Sequence, residues 1–212
     1  MNRLQIYLCR QLSHPSGWGG RLLLRLLNRG NASMNQLALA QLALQPGQRV
    51  LELGFGGGDL LQRLLQMSLS LQVTGIDPSA AAMGFVQRRF RRAIASQQLT
   101  LHLAAAEAIP SVDRQFAAVV TVNTLYFWSE ADIVLRECAR VLQPGGRLAI
   151  AYASRAFLEQ RQMTQYGFTA YDPPDLEHRL QYLGFVDIQT VTGESAGNGQ
   201  FFCTCGTADL NP

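Results

Sequence analysis

Glu52, the glycines Gly54, Gly56 and Gly58, and Asp77 are the residues whose types and spacing could do chemistry. They fall in Val50-Leu51-Glu52-Leu53-Gly54-Phe55-Gly56-Gly57-Gly58-Asp59 and in Gly75-Ile76-Asp77-Pro78-Ser79. The first run is apolar, turns on glycines and passes at once into an amphipathic segment, 60–67, which is the order of strand, tight turn and helix start. Glycine admits positive φ and lets the backbone pass close to a ligand, and a helix N-terminus offers it free N–H groups. Such a turn suits a dinucleotide, another adenosine cofactor, or no ligand at all. Glu52 stands on the strand two residues before the first glycine, where a buried carboxylate is costly unless paired or solvated. It pairs with an arginine, faces a cationic or amine-bearing ligand, or helps fix the turn. Asp77 ends the next strand, and in a doubly wound sheet a carboxylate there can accept both hydroxyls of a ribose. It would equally serve as a plain cap for a helix that begins at Ser79.

The elements that must position these residues can be read from periodicity. Strand-like runs at 49–53, 71–76, 99–103, 116–122 and 147–152 alternate with helix-like runs at 60–67, 79–96 and 131–142. That alternation indicates parallel strands joined by crossover helices and buried on both faces. Residues 154–171 are poorly periodic. Asp172-Pro173-Pro174-Asp175 then starts a helix, with Asp172 as N-cap and Pro173 at the first helical position, and Gly184 ends it. Strands at 185–191 and 200–205 follow, and the short loop between them, 193–199, makes the pair antiparallel. The predicted fold is α/β: a Rossmann-like, doubly wound, mostly parallel seven-stranded sheet with a C-terminal antiparallel hairpin.

Residues 1–47 read as an N-terminal helical extension ahead of a domain at 48–212. Helices are expected at 2–13 and 20–29, and the capping-box spacing Ser33-Met34-Asn35-Gln36 opens a third that Gln45-Pro46-Gly47 stops. This extension covers an edge of the sheet, closes over a ligand site as a lid, or does both.

Composition narrows the chemistry. All 18 basic side chains are arginine and none is lysine. A Schiff base with pyridoxal phosphate and a P-loop lysine are therefore excluded. With 212 residues, 48% of them hydrophobic, the chain supports one domain with a sizeable core, and a net charge of +3 demands no polyanionic partner. Arg88, Arg89, Arg91 and Arg92 make a basic helix surface, but no RNA-binding module accompanies them, so a nucleic-acid partner is not expected. Cys9, Cys138, Cys203 and Cys205 form no zinc-like pairing and no disulfide framework, which points to a reducing, cytoplasmic setting and to no metal. Arginines interrupt every apolar run near the start before it reaches the ~18 residues of a membrane span. Of the histidines, His102 and His178 read as structural, and His14, in a glycine-rich break, is the one candidate general base.

Glu52-Leu53-Gly54-Phe55-Gly56-Gly57-Gly58, Asp77-Pro78-Ser79 and Leu142-Gln143-Pro144-Gly145-Gly146 together resemble the motif series of class I S-adenosylmethionine (SAM)-dependent methyltransferases, most of all the small-molecule branch called type 11. The resemblance covers roughly residues 49–152. It implies that the turn 54–58, Phe55 included, passes beneath the methionine part of SAM, with Glu52 near its ammonium. It implies further that Asp77 binds the ribose hydroxyls, that Pro78 lies near the adenine, and that Ala106 and Glu107 belong to the adenine-contacting loop. The acidic residue common before that alanine is replaced by Ala105, which removes a side-chain bond to the adenine amine and leaves the backbone N–H of Ala106 to reach the ring. Asn123 follows the fourth strand, where the family faces both cofactor and acceptor, and Tyr126 and Trp128 are candidates to line the acceptor pocket as a water-excluding apolar wall. Methyl transfer to a small apolar or aromatic acceptor is the expected activity. Two alternatives stand beside it. A nicotinamide enzyme would need the third glycine of G-x-G-x-x-G, but Gly54, Gly56 and Asp59 give G-x-G-x-x-D. A SAM-binding module without catalysis finds its support in Ala105.

Overall fold

The computed structural model describes residues 31–195 and 199–209, so the helices expected at 2–13 and 20–29, with Cys9 and His14, lie outside the described residues. Within that span the apolar runs build one sheet from β1 (Arg49–Leu53), β2 (Gln72–Asp77), β3 (Leu99–Leu103), β4 (Phe116–Val122), β5 (Leu142–Ala153), β6 (Phe185–Ser195) and β7 (Gly199–Ala208). Their spatial order is β3-β2-β1-β4-β5-β7-β6. The first five strands run parallel, while β7 is antiparallel to both β5 and β6. The mostly parallel sheet with a terminal hairpin is thus the predicted one. Chain direction across the sheet reverses between β1 and β4, and in open α/β sheets the crevice at such a switch point is where ligands bind.

Seven helices complete the described chain: α1 (Ala32–Gln41), α2 (Asp59–Gln66), α3 (Ala80–Arg89), α4 (Arg91–Ala95), α5 (Ala131–Val141), α6 (Arg155–Gln160) and α7 (Pro173–Tyr182). Successive strand residues point to opposite faces, and two apolar layers follow from that. On one face Val50, Val73, Val120 and Ala151 pack with Met34 and Ala38 of α1, Leu61 and Leu64 of α2 and Val86 of α3. On the other Leu51, Leu53, Ile150 and Tyr152 pack with Leu135 and Cys138 of α5 and Leu176 and Leu180 of α7. Among the described residues no helix is long and apolar enough to cross a membrane, and no group of His, Cys, Asp or Glu is arranged to hold a metal ion.

Several elements differ from their sequence-based outlines. The helix expected over 79–96 breaks at Phe90, whose φ of −112° and ψ of 24° leave the helical range. The break sets the Phe90 ring against Gly58, where a Cβ would stand 2.7 Å from Phe90 Cε2. β5 begins at Leu142 rather than at 147, because Leu142 already pairs with Phe116 and a register shift absorbs Pro144-Gly145-Gly146 before Arg147 meets Ala118. α1 starts at Ala32 with Asn31 as N-cap and no side-chain cap bond, so the capping box at Ser33 does not form. The Asn31 side chain is engaged elsewhere, accepting a hydrogen bond from Asn123 Nδ2 at 2.9 Å.

The unreadable stretch 154–171 holds α6 and a 3-10 turn, Met163–Tyr166. Ser154 Oγ caps α6 by accepting the Phe157 N–H at 3.2 Å. Arg155, at its start, pairs with Asp172, at its end, at 2.6 Å and also donates to Ala170 O at 3.2 Å. Asp172 is the N-cap residue of α7 by position, with Pro173 following it, but its carboxylate makes no cap bond. The ion pair with Arg155 has taken it.

Candidate functional site

The glycine turn is held from three sides. Gly54 donates its N–H to Ile76 O at 2.8 Å, which carries the β1–β2 pairing one residue past the strand, and Gly58 donates to Phe55 O at 2.7 Å to close the turn. Gly54, Gly56 and Gly58 have φ of 72°, 47° and 75°, the left-handed region that only glycine enters without strain. Asp77 is the third support. Its Oδ2 accepts the Gly56 N–H and its Oδ1 accepts the Ser79 N–H, each at 2.8 Å. The cap of α3 is Ser79, whose Oγ accepts the Ala82 N–H at 3.2 Å. Asp77 is therefore the brace of the turn, and each of its oxygens keeps a lone pair for a further donor. Burial pushes its carboxyl above the usual range, against the two backbone bonds that favour the charged form.

The steric demand at Gly58 can be separated from its backbone conformation by comparison with Gly145, a glycine of similar φ in β5. Gly145 has φ of 76° with nothing within 4 Å of an added Cβ, whereas Gly58 has φ of 75° and Phe90 at 2.7 Å. Gly145→Ala is expected to lose about 1–2 kcal/mol through backbone conformation alone, and Gly58→Ala distinctly more, read as midpoints of chemical denaturation. Equal losses would mean that the ring of Phe90 moves aside without cost.

Glu52 shares a sheet face with Val50, the face covered by α1 and α2. It is 4% exposed, and its Oε2 is buried with no hydrogen-bond partner among the described residues. Burial first, then the neighbouring charges of Asp77 and Asp59, hold its carboxyl well above the ordinary range. Asp59 has partners of its own, Asn35 Nδ2 at 2.8 Å and Arg63 Nε at 3.0 Å. The site thus gathers three carboxyl groups around one unsatisfied oxygen. Phe55 contributes backbone only: its ring is buried, and a Cβ on Gly75 would come within 2.9 Å of it. Pro78 is exposed beyond β2, and Ala106 and Glu107 are half-buried on the loop after β3.

The far wall is built on Asn123, at the end of β4 with φ of 59°. Its Nδ2 donates to Asn31 Oδ1, and its Oδ1 accepts the Tyr126 hydroxyl at 2.8 Å. The Tyr126 oxygen in turn accepts the N–H of Ala153 at the end of β5. Both polar valences of that phenol are used inside the protein, and burial pushes its pKa up. Tyr126 and Trp128 are 4% and 6% exposed, on and just after a 3-10 turn, Leu125–Phe127, so they belong to the buried layer behind the crevice. Phe168, from the segment after α6, packs tilted against Tyr126 and edge-on against Phe127, at centroid distances of 5.8 and 4.8 Å.

Sequence reading missed three sets of residues. Thr121 donates to Leu53 O at 3.0 Å and contacts Thr124, whose Cγ2 would lie 2.3 Å from a Cβ on Gly54. Asn31 and Asn35 join α1 to both walls. Glu137 and Arg140 of α5 hold the loop after β3. Asn35 stood only in an expected capping box that does not form, the others sit in no motif, and a Glu and an Arg three apart read as an ordinary helix-surface pair.

A switch-point crevice, a braced glycine turn and a carboxylate at the tip of β2 are the features of a nucleoside-cofactor site, and residues 50–146 match the family described as methyltransferase domain. Over those residues the chain carries a methyltransferase domain, similar to that of class I, S-adenosylmethionine-dependent methyltransferases. It is 29% identical over 125 residues to an uncharacterized methyltransferase of Bacillus subtilis, covering 59% of this chain and 67% of that one. It is 30% identical over 130 residues to the demethylmenaquinone methyltransferase of Thermotoga maritima, covering 61% of this chain and 54% of that one. In fold it resembles geranyl diphosphate methyltransferase in complex with SAM, with a TM-score of 0.73, 17% identity and 93% of each chain covered. The residues present fit such a cofactor. A cationic amine would satisfy the orphaned Glu52 oxygen, and two vicinal hydroxyls would use the free lone pairs of Asp77.

Proposed function

We propose that this chain binds SAM in the crevice between β1 and β4 and transfers its methyl group, by in-line displacement, to a small apolar or aromatic acceptor. The observation that carries the reading is the buried Glu52 oxygen, without a partner among the described residues, beside a turn that Asp77 holds open. An unpaired carboxylate in that place is costly, and a cationic ligand relieves the cost. SAM, when bound, supplies an electrophilic methyl on a sulfonium. Glu52 would hold the ammonium, Gly54, Gly56 and Gly58 the methionine chain, Asp77 the ribose, and Pro78, Ala106 and Glu107 the adenine. Asn123 fixes the wall between cofactor and acceptor by tying Tyr126 to β5 and α1. Tyr126, Trp128 and Phe168 keep that wall apolar, which excludes water and leaves catalysis to alignment; well-oriented reactants gain about 7–11 kcal/mol in this way. On this reading residues 1–47 are a helical extension that helps close the site over a domain at 48–212, and α1 is its described end.

Titration calorimetry with SAM, S-adenosylhomocysteine and NAD tests the cofactor. SAM and its demethylated product should bind and NAD should not; NAD binding without SAM binding would overturn the proposal. Methyl-labelled SAM incubated with a metabolite extract should then label a small molecule. Binding without transfer to any extract component would identify a cofactor-binding module without catalysis.

A further inference from the structure

The loop after β3 carries no acidic side chain where the adenine would lie, since Ala105 stands there. Main chain must then share in reading the ring beside the half-buried Glu107, and main chain reads a ligand only when something else fixes its position. Two side chains on α5 do so here. Glu137 Oε2 accepts the N–H of Ile109 at 2.8 Å. Arg140 donates from Nη2 to the carbonyl of the same residue at 3.0 Å and from Nη1 to Ser111 O at 2.8 Å. Its Nε and Nη2 bind the two oxygens of Glu137 at 2.7 and 2.8 Å, and Nη1 also reaches Asp113 Oδ1 at 2.8 Å. A guanidinium has five N–H donors, and all five are used. The last carbonyls of α5 join in, with Arg140 O accepting the Arg114 N–H at 2.9 Å and Val141 O that of Gln115 at 2.8 Å. Ile109 itself is buried in the α5 layer, so the loop is pinned by its side chain, its N–H and its C=O together.

We propose that Glu137 and Arg140 are positioning residues for cofactor recognition: by gripping both polar groups of the Ile109 peptide they set the main chain of residues 105–109 that reads the adenine ring. The inference rests on the reading of this crevice as a SAM site. It assigns purine selectivity to a pair that acts through the main chain of Ile109, and it makes the planar fork of arginine necessary, because an ammonium offers three donors from one point.

The test measures binding of S-adenosylhomocysteine and S-inosylhomocysteine to the full chain and to Arg140→Lys and Glu137→Gln. The two probes differ only at the purine edge, where hypoxanthine has an N1–H donor in place of the N1 acceptor and a carbonyl acceptor in place of the amine donor. The native protein should prefer the adenosyl probe. Each variant should bind it about tenfold more weakly, the worth of one well-placed hydrogen bond, while the inosyl probe changes by less than about twofold on the same scale. In methyl transfer the KM for SAM should rise with kcat nearly unchanged. Melting temperature, measured in parallel, identifies variants that fail to fold, and Glu137→Gln, which keeps an acceptor for the Ile109 N–H, is the milder of the two. Equal weakening of both probes, or unchanged selectivity in folded variants, would overturn the assignment and leave the SAM site standing. Failure of the native protein to bind either probe would overturn the site and the assignment together.

Discussion

Asp77→Ala should weaken SAM binding by two orders of magnitude or more. The carboxylate holds two backbone N–H groups, those of Gly56 and Ser79, and on the proposed reading its remaining lone pairs accept the ribose hydroxyls. Hydrogen bonds to a charged group contribute about 1.5–3 kcal/mol each, so losing a ribose contact and freeing the turn together exceeds ~100-fold in affinity. Asp77→Asn is not a gentle alternative. Its amide nitrogen would be set against one of the two N–H donors, so it should bind SAM little better than the alanine variant. Calorimetry on variants whose circular dichroism matches the native protein checks both. A folded Asp77→Ala variant with native affinity would show that the cofactor is held elsewhere.

Glu52→Gln should move stability and binding in opposite directions. The native carboxyl is buried near the charges of Asp77 and Asp59, with one oxygen unpartnered among the described residues. An amide there carries no charge to desolvate and no charge for Asp77 and Asp59 to repel. A gain on the order of 1–2 kcal/mol in the ligand-free protein follows, a rise of about 2–8 °C in melting temperature for a chain of this size. SAM affinity should fall at least tenfold, about the worth of a charge-assisted bond to the ammonium. The pH dependence has a definite sign. A carboxyl raised in the folded state contributes stability that is fully present below its unfolded value and lost as pH rises through the folded one. The native protein should therefore lose stability with rising pH through a range above the usual carboxylate titration, and Glu52→Gln should remove that loss. Asp77, raised in the same direction, leaves a smaller slope behind. A variant less stable than the native protein, binding SAM as well, would mean that the carboxylate is structural.

Both expectations join a residue visible in the sequence to a circumstance that is not. Glu52, the glycines and Asp77 stand out because strand, tight turn and helix are short-range patterns, and so the strand order along the chain and the terminal hairpin were legible as well. Their state was not. Whether Glu52 meets an arginine depends on which helices cover its face, and α1 and α2 cover it without supplying a donor to Oε2. Phe90 sits in a run that reads as uninterrupted helix, yet the helix yields there because its ring packs beneath Gly58. The link from Asn123 to Asn31 spans 92 residues, and the grip of Arg140 on Ile109 spans 31.

The sequence by itself determined the alternation that makes the sheet parallel, the turn that opens at Gly54 and the carboxylate at the tip of β2, since each follows from side-chain period and backbone preference over a few residues. Tertiary structure alone decided which carboxyl lacks a partner, which tyrosine has spent both its valences, and which helix steadies the loop after β3. Those are outcomes of burial and of pairing between distant segments, and no local pattern records them.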